Sequence, residues 1–219
     1  MNQTKSRILR TAEILFANEG IATTSLRRIT AEAGANLAAV NYHFGNKQNL
    51  VHEVFRHRLD KLNSDRIRRL DKLLKKTRQP GLESLLEALI FPALDLSRDE
   101  RRGGARFVKV MARAYAENDA DLHAFLSDHY GHVIKRFAAV IKQTLPGVKS
   151  TELRWQLDFV IGALTYVMAD FGAHFSPAGG LGLSAEALAC RLVQFAAAGM
   201  YSLSNGDKFT PASGLTKIH

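Results

Sequence analysis

Residues 34–49, GANLAAVNYHFGNKQN, hold a short, almost uncharged helical stretch between two turns. This alternation constrains the fold more than any other feature of the chain. Gly34 ends the segment before it, and Asn36 stands where an N-cap belongs. Helical pattern then covers Leu37 to Phe44. Gly45-Asn46 closes it, and a new helix opens at Lys47. Upstream, Ile8, Ala12, Leu15 and Phe16 recur at i, i+4, i+7 and i+8, an apolar helix stripe that Gly20 stops. Thr23-Thr24-Ser25 offers hydroxyls to cap a second helix, Ser25 to Ala33, with Leu26, Ile29 and Ala33 inward. Two short helices joined by Gly34-Ala35-Asn36 form a helix-turn-helix.

The helix that opens at Lys47 runs to about Thr77, where Gln79-Pro80-Gly81 marks the clearest boundary in the chain. Beyond it the spacing predicts helices over 82–96, 104–117 and 120–144, then one capped by Thr151 and running to about Phe175 and one capped by Ser184 and running to about Leu203. Pro92 in mid-pattern predicts a kink or break. Pro146-Gly147 ends one segment, SPAGGLGL reads as a loop, and 204–219 as frayed chain. No β-type alternation and no internal repeat is present. The expected fold is all-α, with about nine helices. Its parts are a helix-turn-helix domain at 1–50, a connecting helix at 51–79, a second helical domain at 80–205, and a tail at 206–219.

Charge is distributed unevenly. Residues 1–80 carry 16 basic and 7 acidic residues, a net of +9, whereas 81–219 carry 14 of each. The whole excess lies in the first third, which points that part toward a polyanion. The single cysteine, Cys190, rules out an intrachain disulfide and a zinc site built from thiolates, and reads as a buried small apolar residue. The chain begins without a signal-peptide pattern, no apolar run is long enough to span a membrane, and a cytoplasmic location is expected. The basic, amphipathic fourth helix is read as a connector with a solvated face and not as a membrane binder. His129 and His132 share a helix face but lack a third ligand at short spacing, so no metal is expected. No catalytic motif and no cofactor fingerprint occurs, and an enzyme is not expected.

A nearly chargeless second helix suits reading in the major groove, where small side chains permit close approach. Leu37, Ala38 and Ala39 occupy its first turn, with methyl groups for thymine. Asn41 and Tyr42 offer hydrogen bonds to bases or phosphates, while Val40 and Phe44 are spaced to face a core. Lys47, at the start of the next helix, suits a phosphate.

Residues 5–50 resemble the DNA-binding domain of TetR-family transcriptional regulators. The match rests on Ile8, Ala12, Leu15, Phe16, Gly20, Thr24, Ile29, Ala33-Gly34, Tyr42-His43-Phe44, Lys47 and Leu50. The chain departs from the family at Ala35 and at the apolar Leu37-Ala38-Ala39, which bears on the operator sequence and not on the role. The resemblance implies DNA contacts by Ser25, Arg27, Tyr42, His43 and Lys47; with Leu37, Ala38, Ala39 and Asn41 from the helix itself, and Arg28 and Asn36 beside them, these make up the expected DNA-contact set. It further implies an all-helical homodimer, most often a repressor of double-stranded operator DNA released by a small ligand. NLAAVNYHFGNKQNL, HYGHVIKRF and FAAAGM are similar to segments of the PsrA-like branch, which implies a fatty acid or acyl thioester as effector.

Aromatic and methionine residues gather on the predicted helices five to eight, mostly as core, with a subset expected to line an apolar cavity. The expected lining is Phe91, Phe107, Met111, Tyr115, Phe159 and Met168, with Arg113 as anchor for an anionic group. Gly162 on one late helix and Ala197 and Gly199 on the last offer small faces for a two-fold four-helix interface. A DNA-binding factor without a small-molecule sensor is the alternative.

Overall fold

The structure is a computed structural model and describes residues 3–99, 103–170 and 184–204. All regular structure among them is helical. The helices are α1 (Gln3–Glu19), α2 (Leu26–Ala33), α3 (Leu37–Phe44), α4 (Lys47–Lys76), α5 (Leu82–Arg98), α6 (Gly104–Glu117), α7 (Ala120–Thr144), α8 (Ser150–Asp170) and α9 (Ala185–Ser204).

The short helices are placed by their caps. Ser25 Oγ accepts from Arg28 N at 3.1 Å, Asn36 Oδ1 from Ala39 N at 2.8 Å, and Asn46 Oδ1 from Asn49 N at 2.8 Å. Gly34 ends α2 with φ 56°, a left-handed conformation that a side chain would strain. Between these turns α1, α2, α3 and the start of α4 enclose Ile8, Phe16, Ile29, Val40, Phe44 and Leu50, all buried. Val40 and Phe44 face inward as their spacing predicts.

Helix α4, 30 residues long, leaves this head and runs through the rest of the molecule. Arg58 on α4 donates through Nε (2.9 Å) and Nη2 (2.7 Å) to the carboxylate of Glu13 on α1, which is only 4% exposed. A forked pair of this kind fixes direction as well as distance. Helix α5 packs against α4, α6, α7, α8 and α9 and forms the centre of the second half. It continues through Pro92 without a break. The proline removes one N–H from the ladder, but packing on five neighbours holds the helix together. Helix α8 opens at Ser150, so Thr151, expected as its cap, lies in its first turn, whereas Ser184 caps α9 as expected, its Oγ accepting from Ala187 N at 3.1 Å. The expected end of that helix at Phe175, the SPAGGLGL loop and the tail lie outside the described residues.

Candidate functional site

One end of the molecule presents the surface of α3. Leu37, Ala38, Asn41 and Tyr42 are exposed, Tyr42 by 85%, and Ala39 and His43 are half-buried beside them. Arg27 and Arg28 extend from α2; Arg28 is held by Glu32 at 3.2 Å and Glu19 at 3.5 Å. Ser25 and Asn36 have acceptor oxygens occupied as helix caps, so what they keep for a phosphate is the hydroxyl proton and the Nδ2 donors. Lys47 Nζ donates to Ala22 O at 3.1 Å, which ties the start of α4 to the loop between α1 and α2. Arg7, which periodicity alone did not single out, donates through Nη2 to Gly34 O at 3.1 Å and adds a cation at the helix-turn-helix corner.

This head is bolted to the second half at the corner between α6 and α7. The Glu117 carboxylate accepts from Ile21 N and Ala22 N, both at 2.9 Å. Gln48 Nε2 reaches the carboxylate of Asp119, the α7 N-cap, at 3.3 and 3.4 Å. The Asp119 carboxyl is held below its ordinary value chiefly by the Leu122 N–H. Arg113 belongs to the same seam: its Nη2 donates to Asn18 O at 2.9 Å. It therefore turns away from the interior, because a residue two positions beyond Met111 lies about 200° around the helix.

Behind the corner lies a cavity of about 420 Å³ bounded by α4, α6, α7 and α8. That size lies within the range of roughly 300–1,000 Å³ usual for small-molecule sites. Met111, Tyr115 and Met168 line it, together with Phe55, Leu59 and Leu62 from α4 and Leu122 and Leu126 from α7. The remaining expected residues stand elsewhere. Phe107 is fully buried behind the wall, its ring edge-to-face with Phe55 at 5.4 Å. Phe91 is half-buried against the core outside the cavity. Phe159 is 62% exposed on the outer side of α8.

The polar residue that sequence reasoning missed is Arg66. It lines the cavity with 7% exposure, Nε donating to Leu89 O at 2.9 Å and Nη1 to Asn63 Oδ1 at 3.2 Å. Burial pushes its pKa down to about 10, with Tyr115 nearby opposing the shift. Burial raises the Tyr115 phenol, Arg66 partly offsets this, and Asp158 adds to it. At the seam between α4 and α7, Tyr130 donates to Asp60 Oδ1 at 2.7 Å; burial and this bond push its phenol up.

The outer side of α8 and α9 is apolar. Trp155, Phe159, Tyr166 and Phe195 are 60%, 62%, 68% and 70% exposed. Gly162 and Gly199 lie exposed with them, and nothing stands within 4 Å of a Cβ built on Gly162. Ala197 is 3% exposed and faces the interior of its own protomer, and Cys190 is exposed, both against expectation. Among the described residues no helix is long and apolar enough to cross a membrane.

A helix-turn-helix head, joined by one long and strongly basic helix to a helical half that holds a cavity, defines a DNA-binding regulator. The family comparisons name the class. Residues 8–54 match the model of bacterial regulatory proteins of the tetR family, and residues 87–199 match the tetracyclin repressor-like C-terminal domain. The chain belongs to the TetR family of transcriptional regulators, generally DNA-binding repressors that act as dimers. The fold is similar to that of the ketosteroid transcriptional regulator KstR2 of Mycobacterium tuberculosis, with TM-score 0.62, 17% identity and coverage of 91% of this chain and 95% of that one. It is also similar to GusR of Salmonella enterica (TM-score 0.55, 17% identity, 94% and 98% covered). A third is the transcriptional regulator SCO7518 of Streptomyces coelicolor (TM-score 0.51, 24% identity, 89% and 98% covered). No curated protein matches in sequence.

Proposed function

We propose that this protein is a homodimeric, ligand-responsive repressor that leaves a palindromic operator when a small apolar or acyl-type molecule enters the cavity. The observation that carries this is the double role of α6. Met111 and Tyr115 line the cavity, and Glu117, two residues on, holds the α1–α2 loop of the reading head. A ligand that displaces α6 or α4 therefore shifts the head, and a shift repeated in two protomers changes the spacing of the two α3 helices. To move DNA release from about 1% to 99% the ligand must favour the released state by roughly 5.5 kcal/mol. Ser25, Arg27, Arg28, Asn36, Leu37, Ala38, Ala39, Asn41, Tyr42, His43 and Lys47 form the proposed DNA-contact surface, and Arg7 joins them.

The apolar face of α8 and α9 supports a two-fold four-helix interface, with Phe159 and Phe195 beside Gly162 and Gly199. The apolar lining of the cavity, and the similarity of NLAAVNYHFGNKQNL to the PsrA-like branch, support an acyl effector. A repressor of this kind works in the cytoplasm, where the DNA is.

The test has two stages. Selection from a random duplex pool should return a palindromic site. The isolated complex is then titrated with medium- and long-chain fatty acids and their thioesters. Release by one of them is expected; a complex indifferent to every acyl compound would remove the acyl effector. Selection of no site would remove the regulator itself.

A further inference from the structure

We infer that Arg66 is the anchor for an anionic head group, and that the cavity takes an amphipathic monocarboxylate with its hydrocarbon body against α6, α7 and α8. The inference deepens the effector reading above and rests on it only for the regulatory consequence.

The argument begins with the helix register. Phe55, Leu59 and Leu62 lie at i, i+4 and i+7, and Arg66 follows at i+11, so the arginine continues the apolar stripe into the cavity. A guanidinium has five N–H donors and no acceptor. The Arg66 hydrogen bonds to Leu89 and Asn63 use Nε and Nη1 and end on a carbonyl and an amide oxygen. Among the described residues no carboxylate pairs with it. A buried cation without a counter-charge is costly. The arginine nevertheless stays charged at neutral pH, since burial lowers it only to about 10. A ligand that supplies a carboxylate to the guanidinium edge removes that cost and gains a charge-assisted pair.

The wall also holds His123 on α7, and Arg154 and Asp158, one turn apart on α8 and opposite in sign. The α8 pair leaves Arg66 as the excess charge. One positive charge matches a monoanion, and Asp158 disfavours a dianionic phosphate.

Calorimetry of the full-length protein without DNA tests this, with decanoate, decanol and decyl phosphate as probes. Wild type should bind decanoate at least tenfold tighter than decanol and tighter than decyl phosphate. In Arg66→Met the preference for decanoate over decanol should vanish while decanol binding stays within about twofold. Arg66→Gln, which keeps a donor for Leu89 O, should behave alike and serves if the methionine variant does not fold. Equal binding of acid and alcohol by wild type, no binding of either, stronger binding of the phosphate, or a preference that survives in the variants would each overturn the proposal. Decanoate held through Arg66 that leaves the operator complex intact would sink the effector reading and spare this one. Release by a ligand indifferent to Arg66 would do the reverse.

Discussion

Glu117 is the residue on which the two halves meet. One carboxylate satisfies two loop N–H groups, Ile21 N and Ala22 N, that are not part of a helix ladder. Gly20 beside them has φ 97°, and a Cβ there would stand 2.8 Å from Glu117 Oε1, so the loop is shaped to receive this side chain. Glu117→Ala should leave both donors to water and loosen the head from α6. The expected result is a helical protein that binds operator DNA but whose affinity changes at least fivefold less on effector addition than wild type. An unchanged response would place the coupling elsewhere. Lys47 acts differently. Its ammonium is held on Ala22 O at the start of α4, a helix N-terminus, where a phosphate would be favoured. Lys47→Ala should weaken binding to all duplex sequences alike and lower the salt slope by about one. A loss confined to one base position would make Lys47 a base reader instead.

At the scale of elements, α6 can form the cavity wall only because it starts hard against α5. A Cβ built on Gly104 would lie 1.8 Å from Leu96 O, a backbone atom that cannot swing aside. Gly104→Ala should cost roughly 1–3 kcal/mol by overpacking. That corresponds to a Tm lower by about 2–12 °C for a chain of this size, readable by thermal melting; an unchanged Tm would mean α5 and α6 part without cost. Helices were the legible part of this chain, because capping groups and a 3.6-residue period act locally. Ser25 and Asn36 cap as read, and Val40 and Phe44 are buried as read, while Asn46, read only as the close of α3, also caps α4. The cavity was less legible, because aromatic content does not say which side of a helix faces a void. Phe159 and Met168 sit on the same helix, one 62% exposed and the other 5%. Arg66 was missed because it stands among many basic residues of α4, and only its register with Leu62 separates it from those in solvent. Pro92 misled in the opposite sense: a local rule predicted a kink or break, and tertiary packing carried the helix through.

The whole molecule divides its labour by charge, with the net +9 of the chain confined to residues 1–80. If roughly 6 to 10 phosphates are neutralised by a dimer, operator affinity should fall about a thousandfold or more between 50 and 200 mM salt. A flat titration would contradict an interface built on that charge. The opposite region carries the second whole-molecule feature, the apolar face of α8 and α9. Trp155 and Phe159 stack with centroids 6.1 Å apart, and Tyr166 and Phe195 extend the surface. Large rings so exposed on adjoining helices are costly in water, and a second copy of the same face would cover them. Small residues beside them, Gly162 and Gly199, permit close approach of the helices. Ala197 contributes nothing to this contact, since it is buried within its own protomer. The disruptive substitutions are therefore Phe159→Glu and Phe195→Glu, which place charges on the proposed seam without touching the protomer core. Sedimentation should show a monomer for the double variant at concentrations where wild type is a dimer, with helix content retained. Operator affinity should fall at least a hundredfold, because each duplex then binds one head at a time and loses the gain of linked sites. A double variant that remains dimeric and binds the operator as wild type does would move the interface to another face.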